Sequence, residues 1–255
     1  MFGFILADKN MNYLSIILTS FLLAFAFKSN GQSTEVSFIH YSDTSDIGME
    51  REVEFPLIKT MDIAIDSILN KNIRRDILFD TLTTSIDSAL SNLVSGASSF
   101  WLTSEITFNK KDVISIRVSA EFCGANCNNY QEAFVYSLVS GNRLLISDIL
   151  DSNLFYNEIV KDDVKEQYQN SINRIVTLKD SCTNCDASYY DNLDFFISSI
   201  EHARDEFKMN SFCLYNDSIE ILDECHFNRI DIEMCPEVSF QYNWNKLRKY
   251  LKIKI

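Results

Sequence analysis

Strict alternation of apolar and polar residues is clearest between Val113 and Phe122. The apolar set is Ile114, Ile116, Val118, Ala120 and Phe122, and the polar set is Ser115, Arg117, Ser119 and Glu121. Successive side chains of a strand point to opposite faces of its sheet, whereas a helix would scatter these apolar residues around its circumference. The segment is therefore predicted to be a central β-strand with one buried face and one solvated face.

Weaker alternation and β-branched or aromatic content predict further strands along the chain. They cover residues 34–41, 50–58, 100–108, 132–139, 143–146, 207–215, 218–222 and 238–242. Pro56 suits an edge strand or a strand end, because proline cannot donate to a ladder. The turn residues 109–112 and the Asn216-Asp217 step predict hairpins, and a polar turn is expected at 42–48.

Apolar residues at three- and four-residue spacing predict amphipathic helices between these strands. The helical segments are 61–73, 78–93 (with Gly96 near its end), 154–168, 193–203 and a short helix from Asn243 or Asn245 to Leu251. Ser147 and Asp148 are candidate caps, and residues 176–191 and 223–236 are predicted loops. The fold class is α+β, a mainly antiparallel sheet of hairpins packed with several helices, in a single domain over residues 32–255.

The first 31 residues have the pattern of a secretory signal peptide. Lys9 precedes an apolar run from Leu14 to Phe27, and the small residues Ser29 and Gly31 precede a predicted cleavage site. The run is too short for a membrane-spanning helix, which needs about 20 residues. We expect a secreted or periplasmic bacterial protein with no stable membrane anchor after cleavage. An uncleaved anchor, or a start at Met11, is the alternative.

The strongly negative net charge of the chain limits which binding partners are expected. The net charge is −13, and losing the leader removes two lysines and one aspartate, which makes it −14. Such a protein repels phosphate backbones, so nucleic acid and anionic membrane surfaces are not expected partners. The charge favours a cationic exported protein as the partner. The alternative is that the negative surface serves only solubility.

Seven cysteines follow the leader, and an exported chain meets an oxidising compartment. The simplest pairing joins neighbours in sequence, which gives Cys123–Cys127, Cys182–Cys185 and Cys225–Cys235. Cys213 is left over in a strand-like run and is expected to be a small buried hydrophobic residue. A zinc site at Cys182, Cys185, Cys225 and His226, or a redox pair at Cys182 and Cys185, is a weaker alternative.

The order of several short segments resembles the extracellular domain shared by RsiV-type anti-sigma factors and PdaC-type peptidoglycan deacetylases. The segments are 105–109, 112–116, Gly124-Ala125, 140–150 and 238–242 with Leu247 and Leu251, preceded by Phe55-Pro56 and a helix with Ile65 and Ile68. Asn126 stands where that family usually has histidine. The resemblance spans Val53 to Leu251 and implies an envelope-facing α+β domain, which binds lysozyme in some relatives. It does not imply deacetylation, because that catalytic module is a separate domain.

The candidate binding residues are those of one loop and three tyrosines. The cysteine-bracketed loop Gly124, Ala125 and Asn126 is the first choice, since a rigid sheet presents loops well. Aromatic residues suggest either a carbohydrate platform or core packing. They are Trp101, Tyr130, Tyr136, Tyr189, Tyr190, Tyr242 and Trp244. Tyr189-Tyr190, beside Asp186 and Asp191, is the best exposed candidate, and Tyr130 lies near the loop.

These observations favour an exported cell-envelope binding module without catalysis. Its expected ligand is an envelope glycan such as peptidoglycan, or an exported protein such as lysozyme. The three histidines form no metal-binding motif, and the chain has no phosphate-binding loop or nucleophile elbow, so neither a cofactor nor a metal is expected. The alternatives are an envelope hydrolase that uses a carboxylate pair and a purely structural or inhibitory protein.

Overall fold

The structure is a computed structural model. It describes residues 34–43, 51–78, 85–94, 99–110, 112–123, 127–183, 186–223 and 238–253. Several predicted features lie outside this part of the chain. They are the signal peptide 1–31, the turn 44–48, Gly96, the loop residues Gly124 to Asn126, Cys185, and the segment 224–237 with Cys225 and Cys235.

Five strands form the larger sheet in the order β1 to β5. They are Glu35–Asp43, Arg51–Lys59, Ser99–Lys110, Val113–Cys123 and Cys127–Ser137. Neighbouring strands are antiparallel except β2 and β3, which run parallel. A parallel pair needs a crossover connection, and two helices, α1 (Ile63–Leu78) and α2 (Ile86–Val94), lie between these strands in the chain.

Three antiparallel strands form the second sheet, in the order β6 to β8. They are Ser211–Leu214, Ser218–Asp223 and Val238–Asn243. The remaining helices are α3 (Ile146–Ile149), α4 (Ser152–Phe155), a π-helical turn (Tyr156–Val160), α5 (Lys161–Ser181), α6 (Ala187–Asp205) and α7 (Trp244–Leu247). Together these elements confirm the predicted α+β class with mainly antiparallel hairpins.

The buried apolar side chains form two main clusters. One lies between the larger sheet and helices α1 and α2, and includes Phe55, Leu69, Leu90, Ile116 and Phe134. The other packs α5 and α6 against the second sheet, and includes Phe155, Tyr168, Ile200, Ile221 and Phe240. A small third cluster contains Ala133, Cys213 and Leu222. Cys213 is buried and has a free thiol, as expected of a small hydrophobic residue in a strand.

The second face of the central strand β4 is not uniformly solvated. Ser115 was expected on the wet face, but it is 0% exposed. Strand β6 covers this end of β4, where the Ser115 hydroxyl accepts the Leu214 backbone N–H at 3.0 Å and lies 2.9 Å from the Thr107 hydroxyl. The prediction is therefore wrong at Ser115, because a second sheet covers this position, while Glu121 at the other end is exposed.

Strand β2 has neighbours on both sides, so it is not an edge strand. Pro56 pairs with Phe38 of β1, but the parallel register with β3 covers only Arg51 to Val53. The proline therefore lies beyond the β3 ladder, where its missing N–H costs no bond to β3.

Three predicted boundaries are also wrong. Residues 143–146 form no strand, because Arg143 makes only an isolated bridge to Tyr136 and Ile146 begins α3. The expected loop 176–191 is largely helical, since α5 continues to Ser181 and α6 begins at Ala187. The final helix is confirmed with Asn243 as its cap, but it ends at Leu247.

Candidate functional site

An open groove of about 330 Å³ lies between two segments that are distant in sequence. One segment runs from residue 145 to residue 156, and the other connects α6 to β6. The lining residues are Leu145, Ile146, Ser147, Ser152, Asn153, Tyr156, Phe207, Lys208, Met209 and Asn210. We call this site the Tyr156 groove. Its volume falls at the lower end of the range that small-molecule sites occupy.

Short capping bonds shape the first of these segments. The Asp148 carboxylate accepts the Leu145 backbone N–H at 2.8 Å, which fixes the start of α3. Asp151 caps α4 by accepting the Leu154 N–H at 3.1 Å. Asp148 was a predicted cap, and it acts from within the first turn of the helix rather than before it. Both bonds satisfy amides that a helix start leaves without a partner.

The π-helical turn sets the position of Tyr156. Phe155 before it and Val160 at its end are both buried, whereas Tyr156 is half-buried and lines the groove. The ring of Tyr156 lies over that of Phe207, with centroids 6.3 Å apart and planes inclined by 17°. Single π-helical turns inside helices occur frequently at functional sites. This stacked pair gives the groove an aromatic wall.

The C-terminal segment contacts α3, which supplies part of the groove lining. Leu150 forms an isolated antiparallel bridge with Leu251, and the Lys252 N–H donates to the Ile149 carbonyl at 2.8 Å. The Lys252 ammonium also donates to the Ser147 carbonyl at 3.0 Å. These backbone contacts hold α3 in place before any ligand enters. A preformed site loses less entropy on binding than one that must order itself.

Several polar groups of the groove have no partner in the described part of the chain. They are the side chains of Ser147, Ser152, Asn153, Lys208 and Asn210. Lys208 is the one charged side chain among the described lining residues. The groove therefore offers hydroxyl, amide and ammonium groups beside an aromatic wall. This arrangement can bind a ligand that has both an apolar face and many hydrogen-bonding groups.

The predicted tyrosines do not come together in one site. Tyr130 on β5 is half-buried against the core under α1, and its hydroxyl donates to Glu132. Tyr189 is half-buried against the other core cluster, and the Tyr190 hydroxyl donates to the Cys182 carbonyl at 2.8 Å. Tyr189 and Tyr190 lie edge to face with centroids 6.1 Å apart. The binding role of Gly124, Ala125 and Asn126 stays a prediction.

Two members of the suggested carbohydrate platform are core residues instead. Tyr136 is 0% exposed, and its hydroxyl donates to Asp76 at 3.0 Å. Tyr242 is buried and donates to Asp163 at 2.8 Å. Burial raises the pKa of Tyr242, and the Asp163 bond adds to this rise. The core-packing alternative is therefore correct for these two tyrosines.

The two tryptophans of the suggested platform do not line the groove either. Trp101 on β3 is 44% exposed, and the Trp244 indole N–H donates to the Tyr215 carbonyl at 3.0 Å.

Among the described residues, no group of three or more histidine, cysteine or acidic side chains has the arrangement of a metal site. The cysteine pairing and the zinc alternative both involve side chains outside that part of the chain.

The Tyr156 groove was missed because its walls are distant in sequence. Tyr156 and Phe207 were assigned to a helix and to a strand, and neither assignment indicates that they stack. One local signal was available, since Ser147-Asp148 and Asp151-Ser152-Asn153 interrupt the apolar pattern without turn-forming glycine or proline. Only the tertiary fold brings this segment beside residues 207–210 and makes it one side of a groove.

Comparison with known proteins gives a likeness in fold. No protein-family profile matches the chain, and no curated protein matches it. A crystal structure of a DUF3298 family member from Bacteroides fragilis NCTC 9343 is similar over 87% of this chain and 95% of that one, with a TM-score of 0.55 and 14% identity. The chain therefore shares the fold of a DUF3298 family protein.

A DUF3298 family protein from Pseudomonas aeruginosa PAO1 is also similar, with a TM-score of 0.48 and 12% identity over 87% of this chain and 94% of that one. In the part of the chain that the structure describes, no helix is both long enough and apolar enough to cross a membrane.

Proposed function

We propose that this protein is an exported binding module of the RsiV/PdaC-like type that recognises a cell-envelope glycan without catalysis. The observation that carries the proposal is the Tyr156 groove, with its stacked aromatic wall and its unpartnered polar rim. Its volume of about 330 Å³ suits a ligand of one or two sugar rings. The proposed location is secreted or periplasmic.

Sugar rings have faces of C–H groups and edges of hydroxyl groups. The half-buried Tyr156 ring, backed by the buried Phe207 ring, supplies an apolar surface that such a face can cover. Ser152 and Asn153 on one side, with Asn210 on the other, supply donors and acceptors for the edges. A few placed polar groups beside an apolar wall are the usual composition of a small-ligand site.

Export and disulfide bonding form part of the same proposal. Support comes from the bonded state of Cys123 and Cys182, whose sulfurs are not free thiols. Disulfides persist in oxidising compartments and are rare in the cytosol. We propose the pairings Cys123–Cys127, Cys182–Cys185 and Cys225–Cys235. Peptide mapping under non-reducing conditions tests them, and a crossed pairing would contradict them.

The hydrolase alternative needs two catalytic carboxyl groups, or a histidine with an acid, in one cleft. Among the described lining residues of the Tyr156 groove, none is acidic and none is histidine. The composition of this groove therefore favours binding over acid–base hydrolysis.

Pull-down with purified peptidoglycan sacculi tests the proposed function. We expect the mature protein to sediment with sacculi, and Tyr156→Ala to reduce the bound fraction severalfold because it removes half of the aromatic wall. The matched control is Phe195→Ala, since Phe195 is 52% exposed on α6 and does not line the groove.

Failure of the wild-type protein to bind sacculi or soluble envelope glycans would overturn the proposal. Equal losses in Tyr156→Ala and Phe195→Ala would show that the groove is not the contact. Retention by immobilised lysozyme alone would support the protein-binding alternative instead. Circular dichroism of each variant separates loss of binding from loss of folding.

A further inference from the structure

We infer that the Tyr156 groove selects saccharides that carry a carboxylate over neutral saccharides of the same size. This inference rests on the proposed glycan-binding function and names its ligand class. The observation behind it is the charge of the lining, where Lys208 is the one charged side chain among the described residues. Within an acidic protein, the described lining of this groove therefore carries a single charge, and that charge is positive.

The Lys208 ammonium group forms no ion pair or hydrogen bond with another described residue. Lys208 is exposed. An ammonium group without a partner offers three donors to an incoming anion. A charge-assisted hydrogen bond is about twice as strong as a neutral one, so this contact discriminates between charged and neutral sugars.

Two acidic residues of the first segment, Asp148 and Asp151, cap helices, whereas the exposed Glu206 directly precedes Phe207 and does not line the groove. Asp148 accepts the Leu145 N–H at 2.8 Å, and Asp151 accepts the Leu154 N–H at 3.1 Å. Neither carboxylate lines the groove. Their capping bonds direct them to the helix starts, so an anionic ligand meets amides and hydroxyls there instead of a free carboxylate.

The two sides of the groove have complementary roles for such a ligand. Tyr156, backed by the buried Phe207 ring, covers the apolar face of a sugar ring, while Lys208, directly after Phe207, reaches a carboxylate on the ring edge. Asn210 and Asn153 carry amides that suit hydroxyl or N-acetyl groups. The ligand class is therefore a short amino-sugar glycan with one acidic substituent.

Two disaccharides of similar size provide the test. One joins N-acetylglucosamine to N-acetylmuramic acid and carries a carboxylate, and the other joins two N-acetylglucosamine units and is neutral. We expect calorimetry to show about tenfold tighter binding of the acidic disaccharide by the mature protein. Lys208→Met is expected to abolish that preference. Lys208→Arg is expected to retain the preference.

The matched control is Lys71→Met, which removes an exposed charge from α1, a helix of the other core cluster. It is expected to bind both disaccharides as the wild-type protein does. A loss of preference in Lys71→Met as large as in Lys208→Met would overturn the inference, since overall charge would then be the cause. Added salt gives a second reading with the wild-type protein, because screening should weaken binding of the acidic disaccharide alone.

The outcomes separate this inference from the proposed function. Equal affinity for the two disaccharides would overturn the charge selection and leave glycan binding intact. Binding of sacculi without binding of either disaccharide would place the glycan contact outside the Tyr156 groove. Absence of binding to sacculi and to both disaccharides would overturn the proposed function together with the inference.

Discussion

Arg117 on β4 places its Nη1 atom 3.1 Å from Oε2 of Glu220 on β7, and this ion pair joins the two sheets. The Tyr215 hydroxyl donates to the same carboxylate oxygen at 2.8 Å, and the Ser239 hydroxyl donates to Oε1 at 2.6 Å. Arg117 also donates to Gln131 at 2.8 Å. The polar side of β4 is therefore the place where the second sheet is held against the first.

Replacing Glu220 by glutamine should destabilise the protein by about 2 kcal/mol, because Arg117 would keep its charge without a counter-ion. The side chains of Arg117 and Glu220 are 24% and 13% exposed, so solvent screens them only partly. Urea unfolding measures the loss. The control is Asp194→Asn in the more exposed Lys179–Asp194 pair, where about 0.5 kcal/mol is expected. Equal losses of unfolding free energy in Glu220→Gln and Asp194→Asn would contradict the role of the Arg117–Glu220 pair in joining the two sheets.

Ser115→Ala should cost about 1–3 kcal/mol, since it leaves the buried Leu214 amide without its acceptor. Ser119→Ala is the matched control, because Ser119 lies on the same strand, is partly exposed and makes no side-chain hydrogen bond within the described residues. We expect that control to stay within about 0.5 kcal/mol of wild type in chemical denaturation. A neutral Ser115→Ala would show that water or another group satisfies the Leu214 amide.

Gly141→Ala should destabilise the protein by about 2 kcal/mol or more. Gly141 has φ of +72°, and an added Cβ would lie 2.9 Å from the Leu69 backbone nitrogen and 3.0 Å from the Ile68 side chain. The turn that contains Gly141, which precedes the segment 145–156 of the Tyr156 groove, therefore packs tightly against α1. Val139→Ala, in the same turn at an exposed position, is expected to be nearly neutral. Thermal unfolding of the two variants tests this, and similar melting temperatures would contradict it.

Cys213 should make the protein less stable at alkaline pH. Burial, with a contribution from Glu220, raises the pKa of this thiol to about 12. In the unfolded chain the thiol ionises near pH 8.5, so its stabilising contribution is complete below that pH and is lost as the pH rises to about 12.

Cys213→Ala removes that contribution together with the smaller effect of Cys213 on the pKa of Tyr215, while Tyr136, Tyr168 and Tyr242 titrate alike in both proteins. We expect the pH dependence of the unfolding free energy between pH 9 and pH 11 to become shallower by up to about 1.4 kcal/mol per pH unit. Urea titrations at several pH values measure it. Identical slopes in the two proteins would show that the thiol does not retain its proton in the folded state.

The elements with a strong local period were predictable. Val238, Phe240 and Tyr242 alternate in the sequence and are buried in β8, while the residues between them are exposed. The central strand, its hairpins and the Asn243 cap were found for the same reason. By contrast, the helix predicted to end at residue 168 was too short, because Ile172 and Ile175 continue its apolar spacing and are buried in α5. Beyond Ile175 no buried residue marks the last turn, so periodicity could not locate the end at Ser181.

The sequence by itself determined the α+β class, the order of most strands and helices, and the burial of Cys213, because side-chain periodicity and hydrophobicity act locally. The tertiary structure alone decided that a second sheet covers Ser115 and that Tyr136 belongs to the core. It also decided that Tyr156 stacks on Phe207 to form a groove. Those features depend on contacts between segments far apart in the chain, and no local pattern of residues contains that information.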